Sequence, residues 1–231
     1  KGSVCAFLDA ICVAAGVKAG VFTSPHLISM TERIRINGTD ISEAEFARHA
    51  THIRETAEHL LAEGKLAYRP TFFEQVTAIA LVAFAEAGVN LAILETGLGG
   101  RLDATTAANA EIAVITRIDL DHQEYLGGTI EEIAAEKAAI ITERTYDVVI
   151  GKQPKEAMAI LRERCKMFGI EPLNDEYEPW RVLPLEGEMV KVILSLLVLK
   201  PIRLGLKGRH QIENANTAVQ AARALLYHGA F

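Results

Sequence analysis

Three cysteines, Cys5, Cys12 and Cys165, form no C-x-x-C pair and no even set. Neither a disulfide framework nor a zinc site is suggested. Cys5 and Cys12 share one helical stretch and read as core thiols. No stripe of lysine and arginine is present and the net charge is -6, so no nucleic-acid surface is expected. Lys155, Glu156, Arg162, Glu163, Arg164 and Lys166 mix both signs on one helix and read as a solvated face. No apolar run is long enough to span a bilayer, and Val192 to Leu199 is only strand-sized. With no signal peptide either, the expectation is a cytoplasmic protein without membrane contact, and a monomer. There is no initiator methionine, and the opening Lys1-Gly2-Ser3 reads as a chain cut inside a motif. A fragment is therefore expected.

Half of the 231 residues are apolar, enough for one large core. The chain is organised around Leu91-Ala-Ile-Leu-Glu-Thr-Gly-Leu-Gly-Gly-Arg-Leu-Asp-Ala104. Leu91 to Leu94 reads as a buried parallel strand, with Glu95 at its carboxyl end and a glycine-rich loop behind it. Ligands of open α/β sheets collect at such ends, so Glu95 is placed to hold a hard cation. Arg101 and Asp103 offer the ligand one charge of each sign.

Two further strands end in the same way. Ala19 to Phe22 is followed by Thr23-Ser-Pro-His-Leu27, where Pro25 holds Ser24 out of helix. Glu111 to Thr116 leads to Asp119-Leu-Asp-His122. Ser24, Glu95 and His122 at one sheet edge suit Mg²⁺ ligation through oxygen and nitrogen. Lys1 at the entrance of a helix resembles the second half of a phosphate-binding loop.

Arg33-Ile-Arg-Ile-Asn-Gly38 predicts a strand and a tight turn. Ser42 to Ala62 predicts an amphipathic helix with a capping box, and its His49, His52 and His59 read as solvated. Thr71 and Glu74 cap the next helix, and the adjacent Phe72 and Phe73 cannot both face one core. One of them is free to stack on a flat ligand. A helix opened by Thr129 and Glu132 carries Ile130, Ile133, Ala134, Ile140 and Ile141 as its apolar stripe, with Lys137 in the middle. A buried ammonium must snorkel, pair with an acid such as Glu136, shift its pKa or be carbamylated.

Asp147 to Gly151 is another parallel-type strand, followed by a helix from Pro154 to Phe168. The stretch 173–203 holds three of the seven prolines, the single tryptophan and an apolar run, and reads as an antiparallel subsheet. Asn214 lies just before a helix expected over Ala215 to Tyr227, and its amide suits an adenine edge.

Together, Lys1-Gly-Ser3, Thr23-Ser-Pro-His-Leu27, Glu32-Arg-Ile-Arg-Ile-Asn-Gly38, Thr71-Phe-Phe-Glu74, Leu94-Glu-Thr-Gly-Leu-Gly-Gly-Arg-Leu-Asp-Ala104, Leu120-Asp-His122, Glu136-Lys137 and His210-Gln-Ile-Glu-Asn214 resemble the dihydrofolate synthase/folylpolyglutamate synthase family of the Mur ligase superfamily. The resemblance implies the central ATP-binding domain over 1–231, an α/β fold like that of P-loop NTPases: a mostly parallel sheet flanked by helices, with a small antiparallel subsheet. It implies an ATP-dependent carboxylate–amine ligase whose partners are ATP, L-glutamate and folate or dihydropteroate, with Mg²⁺ ions, two expected. By motif, Lys1, Gly2, Ser3 and Asn214 would bind ATP, and Ser24, Glu95 and His122 would ligate magnesium. Lys137 would be the carbamylated lysine, acting with His122 and Glu95. Thr71, Phe72, Phe73, Glu74, Leu102, Asp103 and Ala104 would line the pterin pocket. The competing readings are a ligase for another carboxylate and a nucleotide-binding module without ligase activity.

Overall fold

The computed structural model describes residues 1–174, 180–186 and 189–229. Helix α1 (Gly2–Ala14) is followed by Gly16 at φ 75°, a left-handed turn that glycine makes without a Cβ clash, and the chain enters strand β1 (Ala19–Phe22). All four residues of β1 are buried. It pairs antiparallel with β2 (Ile34–Ile36) and parallel with β4 (Leu91–Leu94), placing Phe22 opposite both Ile34 and Leu94. Asn37 (φ 50°) and Gly38 (φ 79°) turn β2 into β3 (Thr39–Asp40), as the Asn-Gly pair predicts.

Helices α2 (Glu43–Ala62) and α3 (Phe72–Ala87) cover one face of this sheet around Phe22, Ile34, Val76, Ile79 and Phe84. Both open with the expected capping boxes, Ser42 with Glu45 and Thr71 with Glu74. His49 departs from the solvated face expected of it: it is buried, with Nδ1 3.8 Å from a Glu86 oxygen on α3. Its neighbours at helical spacing, Phe46 and Ile53, pack on the same core and carry it inward.

The second half repeats the parallel scheme. β5 (Ile112–Ile115), β6 (Asp147–Ile150) and β7 (Leu173–Asn174) run parallel, with Ile112 opposite Asp147 and Val149 opposite Leu173. α5 (Ile130–Ala138) follows the short α4 (Gln123–Leu126), and with α6 (Lys155–Met167) it buries Ile133, Ile141, Val148, Ile150 and Leu161. On the other side, α1 and α7 (His210–Tyr227) share one core with Val21 and Ile93 of the first sheet and Val149 of the second. Helices thus cover both faces of the parallel strands, the arrangement the motifs predict.

Between β4 and β5 lies a cleft of about 170 Å³, lined along its length by both strands. For this reason Leu91 to Leu94 is less buried than its apolar run predicts: Ile93 is buried and Ala92 is exposed. β8 (Trp180–Pro184), β9 (Met189–Leu194), β10 (Leu197–Val198) and β11 (Ile202–Arg203) form an antiparallel sheet whose Val182, Val190 and Val192 pack on Ala215 of α7. Of the subsheet expected over 173–203, residues 175–179 and 187–188 lie outside the described residues. Leu173 and Asn174 belong to the parallel sheet instead, where they pair with β6. α7 begins at His210, so Asn214 lies within the helix rather than before it. No helix among the described residues is long and apolar enough to cross a membrane.

Candidate active site

Glu95 leaves β4 at the carboxyl edge of the first sheet and is buried. Its Oε2 accepts one hydrogen bond, 3.2 Å from the Ser24 backbone N–H at the exit of β1. Gly2 approaches from the start of α1, where a Cβ would lie 3.5 Å from the same oxygen. Among the described residues no lysine, arginine or histidine forms an ion pair with Glu95, and the Ser24 hydroxyl makes no hydrogen bond. A buried carboxylate with one backbone donor is poorly compensated and calls for a cation. Lys1 completes the group from the helix cap: its Nζ donates to the carbonyls of Thr96 (2.5 Å) and Gly97 (3.0 Å). Lys1, Gly2, Ser24 and Glu95 therefore meet at one point where two strands end and one helix begins.

The loop after Glu95 is rigid for a reason the sequence hides. Asp103 is buried, and its Oδ2 accepts from the N–H groups of Gly97 (2.9 Å) and Leu98 (3.0 Å). Its Oδ1 accepts from the Thr105 N–H (3.0 Å) and hydroxyl (2.6 Å). Asp103 thus braces the loop from within, while Leu102 projects at 82% exposure and Ala104 is half-buried. Arg101 pairs with Glu136 at 2.9 Å, so the two charges expected to face a ligand both have protein partners. That ion pair also removes Glu136 as the acid expected to neutralise Lys137.

Thr71 is exposed at the start of α3, where its N–H donates to Glu74 at 2.6 Å; this bond holds the Glu74 carboxyl below the usual range. The two phenylalanines divide as the sequence predicts. Phe73 packs inward on Phe22, ring centroids 5.8 Å apart, and closes on Gly97, where a Cβ would meet its ring at 2.7 Å. Phe72 faces outward, with the Arg33 guanidinium over its ring at 5.5 Å.

Lys137 is half-buried, and its ammonium makes no hydrogen bond or ion pair among the described residues. Burial lowers its pKa, Lys1 lowers it further, and Asp121 opposes both. His122 stands at the cap of α4 with φ 52°, exposed, its Nε2 3.5 Å from Asp121. Gln153 steadies the approach to it by accepting from the Ile118 N–H and donating to the Thr116 carbonyl, both at 2.9 Å. At α7, Asn214 donates to Gln211 (2.9 Å), which donates to the Ser3 hydroxyl (3.3 Å) and so ties Asn214 to the start of α1. Among the described residues no three His, Cys, Asp or Glu gather as a ready-made metal cage. The Glu95 carboxylate and the Ser24 hydroxyl are oxygen donors of the kind that suits Mg²⁺, while His122 is placed only beside Asp121.

The Gln153 clamp, the Gln211 relay and Arg33 are given no site role by motif spacing. Gln211 sits inside the His210-to-Asn214 motif and Arg33 inside Glu32-to-Gly38, the one signal each offers.

Comparison with known proteins places this geometry in context. The Mur ligase middle domain family matches residues 39–222. The dihydrofolate synthase/folylpolyglutamate synthase of Escherichia coli (strain K12) is 40% identical over 97% of the chain and 49% of the relative, and that of Bacillus subtilis (strain 168) is 38% identical over 97% and 53%. The Mycobacterium tuberculosis folylpolyglutamate synthase complexed with ADP and AMPPCP superimposes with a TM-score of 0.88 at 34% identity, over 98% of this chain and 52% of that one. E. coli FolC in complex with DHPP and ADP gives 0.81 at 32%, over 96% and 50%. The chain spans about half the length of these bacterial relatives.

Proposed function

The chain belongs to the Mur ligase family, sharing its middle domain, and from that premise we propose that it is the central part of an ATP-dependent ligase that adds L-glutamate to a folate or dihydropteroate carboxylate. The observation that carries the reading is the buried, unpaired Glu95, flanked by Lys1 and Ser24 at the exits of β1 and β4. Support for the nucleotide and the pterin comes from relatives described as ADP, AMPPCP and DHPP complexes.

In this reaction a substrate carboxylate oxygen attacks the γ-phosphorus of ATP and ADP leaves, giving an acyl phosphate. The glutamate nitrogen then attacks the acyl carbon, phosphate leaves with the C–O bond pair, and the nitrogen loses its proton. Lys1, with Gly2 and Ser3 at the N-terminus of α1, receives the phosphates and neutralises charge that builds as ADP departs. Ser24, Glu95 and His122 would hold Mg²⁺, which supplies Lewis-acid charge neutralisation to phosphoryl transfer. Phe72, Leu102 and Ala104 offer apolar surface to a flat ring, with Thr71, Phe73, Glu74 and Asp103 fixing the walls behind it. Asn214 uses its amide nitrogen on Gln211, and its carbonyl oxygen, without a partner among the described residues, would meet the adenine edge.

Lys137 is the carbamylated residue in this reading. Carbamylation needs a neutral amine, and burial beside Lys1 favours that form. The carbamate then places an anion where the structure has an unpaired cation.

The test is phosphate release from Mg·ATP by the full-length protein, offered dihydropteroate or tetrahydrofolate with and without L-glutamate. Sustained release that requires both the pterin and glutamate is expected. Release without either pterin, or none with both, would contradict the reading.

A further inference from the structure

Arg33 is the anomaly the reaction above leaves unused. It ends the short 3-10 turn Met30–Arg33 between β1 and β2 and is only 7% exposed. Its carbonyl accepts from the Thr23 N–H at 2.9 Å, which fixes it at the exit of β1 beside Ser24. Four other arginines have acids: Arg35 has Asp9 and Asp40, Arg48 has Glu86, Arg101 has Glu136 and Arg117 has Asp119. Arg33, more buried than any of these, has none among the described residues. Its Nε donates to the neutral acceptor His26 Nδ1 at 2.8 Å, and its plane lies over the exposed Phe72 ring. An interior guanidinium without a counter-anion is costly, and burial works against its charge. Nε is occupied, and among the described residues no hydrogen bond takes up the terminal nitrogens, whose edge is a fork that fits the two oxygens of a carboxylate.

We propose that Arg33 is a carboxylate-binding residue of the substrate cleft, its terminal guanidinium edge receiving either the glutamyl-tail carboxylate of a folate or a carboxylate of the incoming glutamate. Lys1 already serves the phosphates, and Phe72 offers a flat ring beside the guanidinium, so a ligand joining an aromatic body to a carboxylate matches both surfaces. His26 orients the fork. The proposal rests on the ligase reading for the identity of the ligand, and its test separates the two.

The measurement compares wild type, Arg33→Met and Arg33→Lys in the full-length protein, reading the melting midpoint with and without each substrate alongside steady-state kinetics. In Arg33→Met the unliganded midpoint stays level or rises, because an uncompensated charge is removed. A KM rises by about 10- to 100-fold, the loss of one charge-assisted pair, with a smaller change in kcat. A rise confined to L-glutamate assigns the incoming amino acid. A rise for tetrahydrofolate with dihydropteroate unchanged assigns the glutamyl tail, which dihydropteroate lacks. Arg33→Lys recovers part of either effect. Unchanged KM values with a lowered midpoint would overturn the proposal and make Arg33 a structural residue, as would equal rises for both pterins. Should wild type show no pterin-dependent turnover, the ligase reading fails. Arg33 is then judged by the melting midpoint alone: a rise with L-glutamate in wild type and none in Arg33→Met upholds it, and no difference overturns it.

Discussion

At the scale of single residues, the site depends on charges kept without partners. Glu95, Lys137 and Arg33 are each at least half-buried, and none forms an ion pair among the described residues. A folded core normally neutralises such groups, which makes each a candidate place for a ligand or a modification to supply the missing charge. For Lys137 we propose a carbamate, formed when the neutral amine captures carbon dioxide. Stripping dissolved carbon dioxide is expected to lower wild-type turnover, and bicarbonate restores it. Lys137→Ala is expected to lose turnover by at least about 100-fold, the scale of a lost electrostatic contact in a transition state, with no response to bicarbonate. Near-normal turnover of Lys137→Ala would remove the carbamate from the account. The three residues were unequally legible. Glu95 stands out because it sits at the carboxyl end of an apolar strand, where open α/β sheets collect ligands, and Lys137 because it interrupts an apolar stripe. Arg33 and Arg35 look alike in Arg-Ile-Arg-Ile, and only the turn that ends at Arg33 separates the buried one from the one paired with Asp40.

Elements set the positions of those residues through a few close approaches. Gly100 lies against the end of α5, where a Cβ would come within 2.7 Å of the Glu136 carbonyl oxygen and 3.0 Å of that of Lys137. Both are backbone atoms and cannot swing aside. Gly100→Ala is therefore expected to push the glycine loop and the helix carrying Lys137 apart, costing about 1–3 kcal/mol of stability and a larger share of turnover than of ATP binding. Urea unfolding with paired kinetic and nucleotide-binding assays checks this; unaltered stability and turnover would contradict it. The capping boxes of α2, α3 and α5 were legible because they are local, written in residues three apart. The loop brace was not. Asp103 reads as a charge offered to a ligand, whereas its four acceptor contacts to Gly97, Leu98 and Thr105 turn it inward. His49 was misplaced for a related reason: a polar name on an amphipathic helix gives no sign that α3 covers its face.

In the whole molecule, two units, one built on a mixed sheet and one on a parallel sheet, share a core with α1 and α7, and the residues of the proposed site come from both. The first unit brings Ser24, Arg33 and Glu95; the second brings His122 and Lys137. Periodicity predicted the strands and their carboxyl-end loops, but it could not show the cleft between β4 and β5, since edge strands and central strands are written in the same apolar residues. In the proposed reaction a phosphoryl group is transferred to a carboxylate before the amide forms. The most direct measurement is to give the full-length protein, with Mg·ATP and L-glutamate, a pterin substrate whose reacting carboxylate carries heavy oxygen, and to weigh the phosphate released. Phosphate containing one labelled oxygen per amide formed is the predicted result. Unlabelled phosphate, with the label retained in the amide or lost to water, would contradict it.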